Sequence, residues 1–490
     1  MRPRPISDEV SSRVLRFSTN MARQPVMIPL KFEKQQGLHK FLRRLLNKCL
    51  PISPKTFSRS LFSILPSSKP LRPTAWLDGV RGISAFLVFL YHFQHMFHNA
   101  YWYGYGSNGG VDDDWEFQLP ILRLIPNGQT QVSVFYVLSG ISLSLRPLQL
   151  ARSQDWEKCF DSLFSSIFRR ALRMYLPILV VQIGVLFATL LGFFNHAHAL
   201  RNDWPFGGTN EVMHNVFASN RAQIQDWLQA MWTFADPFVP HRPDYDVHLW
   251  TIPIQFRNSI ILLATLLGFA KLKPRVRISL TVTLVAYCIC VDQSAIALFY
   301  AGMGIAEFML IQEEAAERFS NVHTRKDGGT ILSRTFWFAM CYAGLHLLSW
   351  PPRNSHRSLG FVTLNEIAPR FIDSPGETGE RIGAALFVLA LSGCASLRRP
   401  FETPWAIYLG DISFPLYIIH GPLNHMIGLS LVQMIWKITG SESLVGYETG
   451  VFLAFCIMAV ITVWVAEIFT RTVDEPCVRL GRSLQKNWTV

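Results

Sequence analysis

The chain has 490 residues, 50% of them hydrophobic and 16% charged, and carries a net charge of +12. Its apolar residues gather into long runs, which excludes an ordinary set of soluble domains and points to one polytopic membrane domain. A nucleic-acid-binding body is excluded too: fifteen of the 46 Lys/Arg fall in residues 1–72 against Asp8, Glu9 and Glu33, so the rest is neutral and the basic tail suits an anionic leaflet.

Residues 1–36 show no compact apolar core with a small-residue cleavage site, so no secretory signal is expected there. Over 37–50 the period turns helical: Leu38, Phe41, Leu42, Leu45 and Leu46 share one face and Lys40, Arg43, Arg44 and Lys48 lie on the others. This fits a helix lying on the cytoplasmic leaflet and equally a basic disordered tail. A proline-rich linker, Pro51 to Pro73, follows.

The stretch 76–103 is apolar enough to span a bilayer, yet holds Arg81 and His92. Ionisable groups inside a span are costly and therefore candidate functional groups. Eleven residues make about three helical turns, so the two share a face roughly 16 Å apart along the axis. Between them that face shows only Ser84, Ala85 and Val88, which predicts a lined passage. Taken singly, Arg81 also fits a snorkelling cation paired with Asp78, and His92 a hydrogen-bonded interfacial histidine.

Further apolar runs lie at about 128–145, 174–194, 249–270, 278–293, 294–312, 331–350, 382–396, 405–430 and 449–469. With the first, this predicts an all-α bundle of about ten transmembrane helices with both termini cytoplasmic. The connections expected inside carry Lys/Arg: 146–173, 271–277, 313–330, 397–404 and the C-terminal segment, as the positive-inside rule asks. Acids offset the cations in 313–330, and Arg353, Arg357, Arg370 and Arg381 in the outer stretch 351–381 depart from the rule. The expected organisation is a basic tail over 1–72, a membrane domain over 73–482 and a short cytoplasmic end over 483–490.

This topology puts His92, His248 and His420 at similar depth towards the outer side, and Arg81 with the Arg169/Arg170/Arg173 cluster towards the inner side. A polar outer chamber joined to a basic inner mouth suits a reaction with a cytosolic anionic donor. The eight cysteines are scattered and show neither a disulfide framework nor metal-ligand spacing, so no metal is expected.

Several segments have a familiar form. Asp78-Gly-Val-Arg81-Gly with Arg81-x10-His92 resembles the first helix of the acyltransferase-3 family of membrane acyltransferases, especially its fungal members. In family order there follow Val134-Phe-Tyr-Val-Leu-Ser139-Gly140, Arg169-Arg-Ala-Leu-Arg173-Met-Tyr-Leu-Pro177 and His248-Leu-Trp250-Thr-Ile-Pro-Ile-Gln255-Phe. Tyr300 to Glu307 and Leu409-Gly-Asp-Ile-Ser413-Phe-Pro-Leu-Tyr417-Ile-Ile-His420-Gly complete the set. The resemblance covers roughly residues 72–482 and implies an acyl-CoA donor, most often acetyl-CoA, used as co-substrate with no bound cofactor. It implies that His92 is the catalytic base and that Arg81 is also essential. Arg169, Arg170 and Arg173 are candidates for the CoA phosphates, although such a cluster also serves simply to fix topology. His248, Trp250, Gln255, Tyr417 and His420 are candidates for the acceptor pocket.

One position departs from the pattern. The family's glutamate is Gln255 here, which hydrogen-bonds but cannot act as a base. Ser139 reads as a packing residue, and Glu307 as the partner of an arginine or part of the passage. The His-x4-Asp matches His198/Asp203 and His241/Asp246 read as chance. The expected function is O-acetylation of a small terpenoid- or polyketide-type metabolite at the endoplasmic reticulum or another endomembrane, among membrane lipids and without nucleic acid. A cell-surface or secreted glycan is the other acceptor class. An ion-coupled transporter is the alternative from another class, although no repeated half is evident.

Overall fold

The structure is a computed structural model and describes residues 71–110, 114–202, 212–239, 243–320, 331–369 and 374–488. The basic tail up to residue 70, with the expected surface helix over 37–50, lies outside the described residues, as do Asp203, His241, Arg325 and Lys326. Among the described residues the fold is all-helical and contains no strand.

The elements used below are α1 Ala75–His95, α2 Gln131–Arg152, α3 Trp156–Leu190, α4 Asn220–Phe234, α5 Thr251–Phe269, α6 Pro274–Cys290 and α7 Ser294–Ser320. They continue with α8 Ile331–Leu348, α9 Pro375–Gly393, α10 Pro404–Asp411, α11 Ser413–Leu423, α12 Leu429–Thr439, α13 Leu444–Phe469 and α14 Glu475–Trp488. Each of the ten apolar runs falls on helix. Five helical stretches among the described residues are long and apolar enough to cross a membrane: Gln131–Arg152, Trp156–Leu190, Val247–Phe269, Ser294–Arg318 and Leu444–Trp488. A sixth arises if α9 and the segment Ala395–Glu402, bent 113° from it, count as one span.

Several boundaries differ from the sequence expectation, each for a local reason. The first helix stops at His95 rather than 103; a 3-10 turn, Ala100–Trp102, follows in a loop. The third helix starts at Trp156, far ahead of its apolar half. Asp155 caps it by accepting the Lys158 N–H, and nothing in 156–173 breaks it. The Arg169/Arg170/Arg173 cluster therefore lies within the body of a 35-residue helix, not at its end. The run 405–430 breaks at Ile412, where Pro415 has no N–H for the Asp411 carbonyl. Past Leu423 it continues through a π-turn, Asn424–Gly428, into α12. The C-terminal helix α14 runs across the boundary expected at 482/483.

Helix α1 is central. Trp76, Ala85, Phe89 and Phe93 on it are fully buried, and glycines set its contact with α10. A Cβ on Gly82 would collide with the backbone of Leu409 and Gly410, so the two chains touch there with nothing between them. The loop after α1 is pinned by Arg123. Its Nη1 donates to the carbonyls of Ser349 (2.9 Å) and Trp350 (2.8 Å), and its Nη2 to that of Tyr101 (3.0 Å). Burial pulls the Arg123 guanidinium down to about 10, so it stays charged near neutral pH. This holds Trp102, a wall residue of the site, in place, and the Arg353 guanidinium stacks over Trp102 at 4.7 Å.

Candidate active site

Three histidines from three separate segments meet. His92 lies in the last turn of α1, His248 in the short 3-10 helix Val247–Trp250 that leads into α5, and His420 in α11. Ring centroids are 4.0 Å apart for His92 and His248, 4.8 Å for His248 and His420, and 5.2 Å for His92 and His420. The common depth expected from sequence is thus a physical cluster.

Local geometry fixes two of the rings. Asp246 is extended and caps the 3-10 helix; its Oδ1 accepts the backbone N–H of His248 at 3.1 Å and the ring Nδ1–H at 2.6 Å. That hydrogen bond assigns the proton to Nδ1 and the lone pair to Nε2. His420 directs Nδ1 at the Leu416 carbonyl (3.3 Å), which leaves it the same tautomer. Tyr417 holds the backbone in register: its hydroxyl donates to the His248 carbonyl (2.5 Å) and accepts from Thr251 Oγ1 (2.6 Å). At position 421 only glycine fits, since a Cβ there would stand 2.8 Å from Asp246 Oδ1 and run into the His248 ring.

The cluster borders a cavity of about 650 Å³ lined by His92, His248, Trp250, Tyr417, Trp102 and Arg257, among others. His420 is fully buried and stands behind that wall instead of in it. A second cavity of about 90 Å³ holds Arg81, Ser139 and Gln255 and shares Val132 and Tyr417 with the first. A third, of about 120 Å³, gathers Arg169, Arg170, Arg173 and Arg482. Arg81 lies within electrostatic reach of both Arg170 and Arg173. A relay of contacts joins the last two cavities: Arg170 Nη2 to Ser259 Oγ (2.6 Å), Ser259 Oγ to the Gln255 carbonyl (2.5 Å), and Gln255 Nε2 to Ser139 Oγ (3.0 Å).

One sequence reading needs correction. Arg81 and His92 share a helix, yet they open into adjacent cavities rather than one groove. The small residues between them are consumed by packing: Ser84 donates to Gln131 Oε1 (2.9 Å), Ala85 is fully buried, and Val88 alone of the three lines the large cavity. Arg81 also makes the pair with Asp78 Oδ1 (3.0 Å) that the simpler reading foresaw. Of the two readings of Glu307, the arginine partner is the one that holds: it is bound by Arg152 (2.6 Å) and by Arg277 and lines none of these three cavities. Missed altogether were Asp246, set aside as half of a chance match, and Arg257 and Arg482.

The histidine cluster is also the donor set a metal would need, since one ring nitrogen from each histidine lies within 4.8 Å of the others. Ligands about 2.0 Å from a tetrahedral zinc stand roughly 3.3 Å apart, so the rings would have to close in to hold one.

The family model described as an acyltransferase domain matches residues 74–471. The chain is 29% identical over 430 residues to O-acetyltransferase PaAT-1 of Phomopsis amygdali, covering 84% of this chain and 85% of that one. It is 27% identical over 463 residues to acyltransferase clz18 of Cochliobolus lunatus, with 87% and 98% covered, and 26% identical over 461 residues to acyltransferase R4 of a Phoma species, with 84% and 95% covered. No solved structure matches.

Proposed function

Because this chain belongs to the acyltransferase-3 family, we propose that it is an integral-membrane O-acetyltransferase that moves an acetyl group from acetyl-CoA to a hydroxyl of a small metabolite. The observation that carries this reading is His92 in the wall of the large cavity, with His248 and Asp246 packed behind its ring. The neutral imidazole of His92 takes the acceptor's O–H proton as that oxygen attacks the thioester carbonyl. The tetrahedral centre collapses, the C–S bond breaks, and the proton passes to the departing sulfur, giving ester and free CoA. Arg81 holds the donor arm beneath His92, and Arg169, Arg170 and Arg173 take the CoA phosphates.

The apolar walls of the cavity and the acetyltransferase named in Phomopsis amygdali favour a terpenoid- or polyketide-type acceptor of fungal secondary metabolism. A ten-span arrangement at an endomembrane, both termini cytoplasmic, turns the arginine cavity towards cytosolic acetyl-CoA and is the topology that the loop charges support.

Membranes holding the protein, given acetyl-CoA and a candidate acceptor, release free CoA in step with acetylated product. His92→Ala lowers this rate by more than about 10³-fold while the protein accumulates at wild-type level. Wild-type turnover in that variant would remove His92 from the chemistry. Metabolite profiles of a deletion strain identify the acceptor as a product lighter by one acetyl unit.

A further inference from the structure

Asp246 takes no direct part in the proton transfer at His92. Its side chain and that of His248 are each only 1% exposed. Both hydrogen bonds described above fall on Oδ1, whereas Oδ2 is buried and has no hydrogen-bond partner among the described residues. Withdrawing a carboxylate from water costs several kcal/mol unless a positive partner repays it. Among the described residues Asp246 hydrogen-bonds one side chain, the neutral imidazole of His248, and that ring rests against His92.

The timing of charge in acyl transfer gives this arrangement a purpose. When His92 accepts the hydroxyl proton it becomes a cation inside a cluster of three imidazoles, where it repels any neighbour that is also protonated. A buried carboxylate one ring away offsets that charge without competing for the substrate. The carboxylate also settles which edge of His248 faces the cluster. With Nδ1–H committed to Asp246, Nε2 is the acceptor edge, able to take an N–H from protonated His92.

We propose that Asp246 is a positioning residue for acyl transfer, acting through His248 on His92: it fixes the His248 tautomer and supplies the counter-charge for the imidazolium that forms. Gly421 and Tyr417 belong to the same device. One leaves the space that the ring and carboxylate fill, and the other clamps the backbone that carries them. The inference rests on the acyltransferase reading but is separable from it, because Asp246 touches neither substrate.

The test uses the full-length protein in membranes, with kcat and KM read for acetyl-CoA and for the acceptor. Asp246→Asn keeps the shape and removes the charge. It lowers kcat by about 10²–10⁴-fold, the upper end being the fall of about 10⁴ for the corresponding change in a Ser-His-Asp triad, with both KM values within about threefold of wild type. His248→Gln gives a comparable fall in kcat, and the double variant falls little further, as expected of groups that act as one unit. It also keeps the test open should Asp246→Asn fail to accumulate. Wild-type kcat in either single variant, or a loss seen only as raised KM, overturns the inference and leaves the acyltransferase reading standing. Turnover abolished by a zinc chelator also overturns it, by showing the three histidines to be ligands. A wild-type protein that releases no CoA overturns both.

Discussion

Two groups of buried ionisable side chains in this molecule differ in what lies beside them. In the first, Arg152 at the end of α2 and Arg277 in α6 close on Glu307 in α7, and Arg152 reaches Glu314 as well (2.5 Å). Glu307 has no exposed surface, and its charge is met by two guanidinia. In the second, His92, His248 and Asp246 are as tightly arranged, but His92 and His248 border an open volume of about 650 Å³. Burial and pairing are common to both, so neither marks a reactive site. Room for a substrate beside a group that can change protonation near neutral pH does.

The comparison can be broken by mutation. The largest contrast comes from Glu307→Ala, which strands the buried Arg277, leaves Arg152 with Glu314 alone and costs about 3–5 kcal/mol of stability. Thermal unfolding in detergent records it as a lowered midpoint, and the fraction that stays folded turns over at the wild-type rate. A folded variant with lost turnover would place Glu307 in the site after all. Next, Arg170→Gln removes one cation from the basic cavity. KM for acetyl-CoA rises by about tenfold with kcat nearly unchanged, the signature of a lost ground-state contact. An unaltered KM would reduce the cluster to a topology signal. The smallest effect belongs to Gln255→Glu. The amide donates to Ser139 Oγ, and a carboxylate there accepts from the same hydroxyl in a cavity that already holds Arg81. Activity should stay within about threefold of wild type; its complete loss would show that the neutral amide is required.

Much of the frame was legible because hydropathy and helix period act locally. Arg81 and His92 do share one uninterrupted helix, and each apolar run became helix. What the sequence hid depends on partners far along the chain. The arginine partners of Glu307 lie 155 and 30 residues before it, so pairing could be expected but no partner named. Asp246 was weighed against His241, five residues before it, whereas its partner is His248, two after it. That contact exists only because Asp246 caps a 3-10 turn, and single-turn caps leave little periodic trace. Ser84 and Ala85 misled for another reason: small residues permit a void and permit close packing equally well, and here Gln131 took the space. The start of α3 was missed because a hydropathy run reports where a helix is greasy, not where it begins.

That last helix carries a consequence for how a large polar donor meets a greasy enzyme. At 1.5 Å per residue the 35 residues of α3 extend about 52 Å, well beyond the roughly 30 Å of hydrocarbon in a bilayer. Its arginines come just before the apolar half. Under the proposed function, a nucleotide held there keeps its hydration shell, and only the slender uncharged arm bearing the thioester has to slip down among the helices towards His92.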